Sequence, residues 1–341
     1  MRDAPVLDAE LIPDPQRPAD TSPEWPAFFR DHVQTFWHQH CEEVSFVGED
    51  KLQLNAVFCV PAASTQVVVV SPGRIEAAMK YQEFVWEMAQ LGVAVAILDH
   101  RGQGKSGRMT TNPNKGHVHS FGHYVNDFGR FCHLVNERLP SHRQVLLAHS
   151  MGGAIAALYM AEHEHKLQAA VFSAPMLSIS SGWVPTWLAR AAVTIGSWLN
   201  QRLAPLNPWY FFGMGDYQSL TFEDNVLTSS RARYRAFREV YETDHELKLG
   251  GPTFSWLREA LLASENAIGC ADKITIPVRV LQAGGDRVIK PDGQIRFASR
   301  LTHPNSGLKV IAHSQHEIVM ETDRYRDQLL RELKRQLEMT K

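Results

Sequence analysis

The stretch Val145-Leu146-Leu147-Ala148-His149-Ser150-Met151-Gly152-Gly153 decides the reading of this chain. Three apolar β-formers run into a tight turn with Ser150 at its tip. The small-residue segment Ala154-Ile155-Ala156-Ala157-Leu158-Tyr159-Met160-Ala161 then predicts a helix. Strand, sharp turn and helix in that order lift a serine hydroxyl clear of a sheet. The residues two before and two after the serine must be small, and here they are Ala148 and Gly152. Alanine in the first of these places tightens the turn by a methyl without forbidding it. The plainer alternative is a serine that only caps a core helix.

Outward from this stretch, apolar runs alternate with helical periodicities. Residues 43–47 and 52–60 read as strands joined by the turn Gly48-Glu49-Asp50-Lys51. Four valines at 67–70 read as a strand buried on both faces. Phe84, Val85, Met88 and Leu91 recur at three and four, which predicts a helix over 81–91 that Gly92 ends. Residues 93–98 form the next strand, 124–139 a helix and 169–172 a strand. Such alternation argues an α/β fold, a mostly parallel sheet flanked by helices.

From about residue 175 to 272 the alternation stops. Helices are predicted over 183–199, 231–241 and 254–264, and five of the eight tryptophans fall in this stretch, which concentrates aromatic surface there. Alternation resumes with a strand at 278–281, a helix over 293–301, a strand at 308–311 and an amphipathic helix over 325–337. The expected organisation is an N-terminal arm (1–40), a core (41–174 and 273–341) and an inserted helical cap (175–272). The arm is proline-rich at first and then helical over 28–37.

The chain has 341 residues and is 44% hydrophobic, enough for one large or two modest domains. A net charge of −2 gives no overall field for nucleic acid or for an anionic membrane. Cys41, Cys59, Cys132 and Cys270 lack metal or redox spacing and read as buried hydrophobes or free thiols. The start Met1-Arg2-Asp3-Ala4-Pro5 does not read as a signal peptide. No run reaches the ~20 apolar residues of a membrane span. The expected location is cytoplasmic, with peripheral contact at the inner membrane surface left open.

A serine hydroxyl is a weak nucleophile and needs a base that a third group orients. In this fold class the chain order is serine, acid, histidine, each past a strand end. Asp286 follows 278–281 behind Gly284-Gly285; Asp272 lies before that strand, and Asp292 is expected to cap the next helix. Past the last strand stand His313 and His316. His316 is favoured because it lies farther into the loop, and His313 is its rival. An oxyanion hole needs two backbone N–H groups. Met151 follows the nucleophile, and Arg74 lies in the loop Ser71-Pro72-Gly73-Arg74-Ile75-Glu76, where Gly73 admits close approach of substrate. Trp183 and Trp187 in the cap are candidates for lining the acyl chain.

Other clusters read more plainly. His117, His119 and His123 lack the carboxylate or cysteine that would complete a metal site, so no metal is expected. Residues 99–106 hold three glycines without a dinucleotide fingerprint, and no cofactor is expected. Arg231, Arg235 and Arg238 are expected on one solvated helix face opposite Tyr234, Phe237 and Tyr241; a phosphate contact there is the lesser alternative.

Taken together, these pieces resemble the serine-hydrolase branch of the α/β-hydrolases that includes monoacylglycerol lipases and bacterial lysophospholipases. The resemblance rests on His149-Ser150-Met151-Gly152-Gly153, on Asp99-His100-Arg101-Gly102-Gln103-Gly104-Lys105-Ser106, and on Gly116-His117-Val118 with Ser120, Tyr124 and Asp127. Asp286 and His316-Glu317 complete it, from about residue 40 to the end. Pro72-Gly73-Arg74-Ile75-Glu76 is similar to the lysophospholipase form and departs from the His-Gly form of the monoacylglycerol lipases. The resemblance implies a triad of Ser150, Asp286 and His316 and structural roles for His117 and Tyr124. It also implies hydrolysis of lysophospholipids, with monoacylglycerol or another carboxylic ester as the neighbouring reading. A catalytically silent lipid-binding member of the fold is the alternative of a different class.

Overall fold

Val67, Val68, Val69 and Val70 have no exposed surface, because they lie in the middle of a sheet covered on both faces. They belong to β3 (Gln66–Ser71) of a computed structural model that describes residues 16–179 and 186–340. The other strands are β1 (Cys41–Val47), β2 (Gln53–Cys59), β4 (Ala94–Asp99), β5 (Arg143–His149), β6 (Leu167–Ser173), β7 (Val278–Ala283) and β8 (Gly307–Ile311). The order across the sheet is β1-β2-β4-β3-β5-β6-β7-β8. β1 and β2 form an antiparallel hairpin, β2 runs antiparallel to β4, and every later pair is parallel. Parallel strands bring their carboxyl ends to one edge, where an α/β sheet collects its functional groups.

The helices follow the predicted periodicities with shifted ends. They are α1 (Trp25–Phe28), α2 (Thr35–His40), α3 (Gln82–Gln90), α4 (Gly122–Arg138) and α5 (Met151–Glu162). Then come α6 (Thr186–Leu203), α7 (Arg231–Thr243), α8 (Phe254–Gly269), α9 (Pro291–Arg300) and α10 (Asp323–Met339). α5 is apolar all round and buried over ten positions, as a helix enclosed on every side must be. α6, α7 and α8 all fall between β6 and β7. α8 runs to Gly269, five residues beyond the expected Ser264 end, because Ala267 and Ile268 are still buried against the core.

Two expectations need correction. Helical structure in the N-terminal segment begins at Trp25 rather than Phe28, since Trp25, Val33 and Trp37 are all buried along one continuous helical path. Asp292 does not cap α9: Lys290 is the N-cap, and Asp292 lies in the first turn behind Pro291. The extended arm expected earlier lies largely in residues 1–15, outside the described residues.

A buried ion network ties the N-terminal segment to three helices. Arg17 Nε donates to Glu87 at 2.8 Å, and its Nη1 donates to Asp323 at 2.5 Å. Arg233 on α7 has a fully buried side chain and binds Glu83 at 2.6 and 2.8 Å and Asp323 at 2.6 Å. Arg326 binds Glu87 through two nitrogens at 2.6 and 2.7 Å. Burial alone would raise the Glu83 pKa, but Arg233, Arg326 and Arg17 outweigh it and hold the group down at about 2. Removing one partner from such a set strands the others without counter-charge. Arg233→Met is expected to lower the free energy of unfolding by about 3–5 kcal/mol, measured by denaturant titration. A loss under ~1 kcal/mol would show that the network contributes little.

Candidate active site

β5 delivers Ser150 in a backbone conformation that non-glycine residues rarely adopt, with φ +48° and ψ −116°. Such strain costs about 1–3 kcal/mol and persists only where neighbours enforce it. Ser150 N–H donates to Ser173 O at 3.1 Å, and Ser150 O accepts from Gly153 N at 2.9 Å and Met176 N at 2.8 Å. The crossing of α5 over the end of β3 explains Gly152: a Cβ there would lie 2.0 Å from Ser71 O. Ala148, fully buried, is accommodated.

The loops after β7 and β8 bring a carboxylate and an imidazole to the serine. His316 Nε2 lies 2.9 Å from Ser150 Oγ, and His316 Nδ1 lies 2.7 Å from Asp286 Oδ2. An ionised carboxylate only accepts hydrogen bonds, so Nδ1 carries the proton and Nε2 faces the serine hydroxyl as an acceptor. Asp286 Oδ1 accepts from Val288 N at 2.7 Å and Ile289 N at 3.0 Å. Burial would raise the Asp286 pKa, but His316 and these two amides outweigh it and hold it below the usual range. His313 is exposed and turns the loop with φ +65°. Asp272 pairs with Arg300 at 3.0 Å, on the exposed side of α9.

Gly73 lies against the serine: a Cβ there would be 2.8 Å from His149 Cδ2 and 3.2 Å from Ser150 Cβ. Its N–H is occupied, donating to Glu76 Oε2 at 2.6 Å. The N–H groups of Arg74 and Met151 have no protein acceptor among the described residues. Trp187 is 72% exposed on α6, so this side chain faces outward instead of lining a buried wall as expected. Trp183 lies outside the described residues.

Behind the serine lies a charged cluster. Lys80 Nζ is 3.0 Å from Glu76 Oε1 and 2.5 Å from Glu317 Oε1, and all three side chains are buried. Tyr81 Oη donates to Glu76 Oε2 at 2.7 Å. His149 stands beside them, its Nδ1 3.0 Å from Ser173 O and its ring 4.9 Å from that of His316. Burial would raise the Glu76 pKa, but Lys80, His149 and Gly73 N–H bring it down to about 2. Glu76, His149 and Glu317 place one ligand-type atom each within 4.8 Å of one another. The Lys80 ammonium already supplies the positive charge there, bridging the loop after β3 to the loop that carries His316.

The loop 99–106 supports the same segment. Gln103 Nε2 donates to Gly73 O at 2.7 Å and Glu76 O at 2.9 Å, while His100 Nε2 lies 3.1 Å from Ser71 Oγ. His117 Nδ1 lies 3.0 Å from Thr253 Oγ1, and Trp256 Nε1 donates to Tyr124 Oη at 3.2 Å. The expected solvated arginine face on α7 forms at Arg231 and Arg235, which are exposed opposite the buried Tyr234, Phe237 and Tyr241, while Arg238 is half-buried. Arg238 donates to Tyr234 Oη, one of the residues it was expected to oppose, at 3.1 Å and to Tyr217 Oη from outside α7 at 2.9 Å. Arg231 pairs with Glu223 at 2.8 Å.

A family model described as serine aminopeptidase, S33, matches residues 62–323, a span that contains all of these loops. The chain belongs to the serine aminopeptidase S33 family. Within it, lysophospholipase L2 of Escherichia coli K12 is 36% identical over 305 residues, 88% of each chain. The monoacylglycerol lipase of Mycolicibacterium smegmatis is 26% identical, over 75% of this chain and 83% of its own. Among solved structures, a soluble variant of the Saccharomyces cerevisiae monoglyceride lipase superposes with a TM-score of 0.67 at 17% identity, covering 88% of this chain and 95% of that one. The fold is that of the α/β-hydrolases.

Buried imidazoles give the site a pH signature. His100 is fully buried, and that burial pushes its pKa from 6.5 down to about 3, against a weaker opposing pull from Glu76. His117 is lowered by burial to about 4. Between these values and pH 6.5 the unfolded chain binds more protons than the folded one. Stability is therefore full above the unfolded value and falls as the pH drops through this window. Asp286 and Glu76, both depressed, add to the loss at lower pH. The melting temperature is expected to fall steadily from pH 6.5 to pH 4.5, and less steeply in His100→Gln. An identical slope in the variant would contradict the assignment.

Proposed function

We propose that the chain is a serine carboxylic-ester hydrolase whose substrates are lysophospholipids. Ser150 is the nucleophile, His316 the base and Asp286 the group that orients it. The observation that carries the reading is the unbroken hydrogen-bonded path from Ser150 Oγ through His316 to Asp286. Ser150 attacks the ester carbonyl as His316 takes its proton. The N–H groups of Met151 and Arg74 hold the oxyanion, and His316 returns the proton to the departing glycerol oxygen. Water then attacks the acyl-enzyme by the same steps. The 36% identity to a lysophospholipase across most of both chains supports this substrate class. Monoacylglycerol is the neighbouring substrate, as the monoacylglycerol lipase relative suggests.

In this reading, residues 175–272 form a cap that roofs the site. Its hydrogen bonds support that role by landing on the reacting loops. Ala77 N donates to Tyr241 Oη at 2.9 Å, Tyr241 Oη donates to Ile75 O at 3.0 Å, and Glu317 N donates to Leu227 O at 2.8 Å. The acyl chain would lie under this roof, where each buried methylene contributes ~0.8 kcal/mol. Ser150→Ala and His316→Ala are expected to lower kcat for fatty-acid release by at least about 10³-fold, and His313→Ala to leave it within about twofold. Loss in His313→Ala with activity kept in His316→Ala would reverse the assignment of the base.

The cap also supplies a surface for peripheral membrane contact. α6 packs inward through Gly196, whose Cβ would meet Phe254 at 2.3 Å, and through Ser197, bonded to Ser255 Oγ at 3.1 Å. Its outer face exposes Trp187 (72%), Ile195 (59%) and Trp198 (52%), and the segment after it exposes Leu206 and Phe212. Arg202 lies over the Trp198 ring at 4.9 Å, an aromatic and basic pairing suited to a lipid interface. No helix among the described residues is long and apolar enough to cross a membrane. Replacing Trp187 and Trp198 together with aspartate is expected to reduce co-sedimentation with phospholipid vesicles at least about fivefold. Unchanged co-sedimentation would contradict this use of the face.

A further inference from the structure

The three fully buried arginines among the described residues have carboxylate partners, whereas Arg74, half-buried beside the serine, has none, as is also true of Arg108 and Arg143 away from the site. Arg101 is held by Asp127 at 2.6 Å, Arg233 by Glu83 and Asp323, and Arg326 by Glu87. Arg74 has no carboxylate within ion-pair distance among the described residues. Its guanidinium stacks over the Trp256 ring at 5.0 Å, and Nη2 donates to Gly250 O at 2.5 Å. Nε is buried without an acceptor, and Nη1 has no protein acceptor among the described residues. Gly116 makes room for the group: a Cβ there would lie 2.3 Å from Nη2. Enclosure without a neighbouring negative charge lowers the Arg74 pKa to about 10, still charged at neutral pH.

An enclosed cation with open donors is costly unless an anion completes it. A guanidinium suits phosphate oxygens because its planar fork offers parallel donors. The position is specific. Arg74 lies one residue beyond Gly73, whose Cβ position is 3.2 Å from Ser150 Cβ, so the cation stands within one side-chain length of the reacting loop. The ester carbonyl and the phosphodiester of a lysophospholipid are likewise separated by only the glycerol backbone.

We infer that the Arg74 side chain is the subsite for the substrate's anionic phosphodiester, and so the residue that separates lysophospholipids from uncharged monoacyl esters. This rests on the ester-hydrolase reading of Ser150. The backbone N–H of Arg74 serves the oxyanion for either substrate, whereas its side chain serves only the charged one. The stack on Trp256 and the bond to Gly250 O hold the fork in place from the side of residues 250–256.

The test compares lysophosphatidylethanolamine with monoacylglycerol of the same acyl chain in wild type, Arg74→Lys and Arg74→Met. In Arg74→Met, kcat/KM for the lysophospholipid is expected to fall at least tenfold more than for monoacylglycerol, mainly through KM. Arg74→Lys, which keeps a point charge, is expected to recover part of that difference. Melting curves for both variants check folding, and Arg74→Lys carries the comparison where Arg74→Met does not fold. Equal losses on the two substrates would make Arg74 a structural clamp and overturn the inference alone. Wild-type protein that cleaves monoacylglycerol and leaves the lysophospholipid intact would overturn both the inference and the lysophospholipid reading. Competitive inhibition by inorganic phosphate that Arg74→Met abolishes, without change in the substrate ratio, would make this a site for free anions and likewise overturn it.

Discussion

The left-handed backbone at Ser150 is the constraint on which the rest of the structure depends. A residue with φ +48° at the end of a buried strand survives only if the surrounding chain leaves it no alternative. Here β6 holds its N–H, the start of α5 and Met176 hold its carbonyl, and the absence of a side chain at Gly152 lets α5 approach Ser71. These contacts come from β3, from β6 and the loop after it, and from the start of α5. The parallel order of β3, β5, β6, β7 and β8 is therefore a requirement for presenting one hydroxyl at the carboxyl edge.

Charge organises the second layer of the molecule. The ion pairs of Arg17, Arg233 and Arg326 join the N-terminal segment, α3, α7 and α10. A separate group, Glu76, Lys80 and Glu317, joins the loop after β3 to the loop of His316. Both clusters replace water with internal counter-charges, and desolvation then ties their contribution to geometry. In the second cluster a lysine does what a bound cation would otherwise have to do. Against burial, this holds the Glu76 carboxyl pKa down at about 2, beside the imidazole of His149.

Much of the fold was legible because its signals are local. The valine run at 67–70 and the 3.6-residue periodicity of α3, α4 and α10 each declare themselves within a dozen residues. Ser150, Asp286 and His316 could be nominated because each lies just past a strand, where chain order and topology restrict the choice. What was not legible depends on contacts between distant segments. Lys80 bridges Glu76 and Glu317 only because the loop after β3 and the loop after β8 meet, and nothing in their spacing says so. Arg238 was expected on a solvated face with Arg231 and Arg235, yet Tyr217 from outside α7 draws it partly inward. Trp187 was assigned to a pocket by its chemistry, whereas packing of Gly196 and Ser197 on α8 turns the other face of α6 outward.

The central claim is that one serine, poised by His316 and Asp286, attacks an acyl carbonyl. It is tested most directly by treating the folded protein with a fluorophosphonate and locating the adduct by peptide mass spectrometry. The account predicts a single stoichiometric adduct on Ser150, formed far more slowly in Asp286→Asn. An adduct on another residue, or an unmodified Ser150 in fully folded protein, would contradict it.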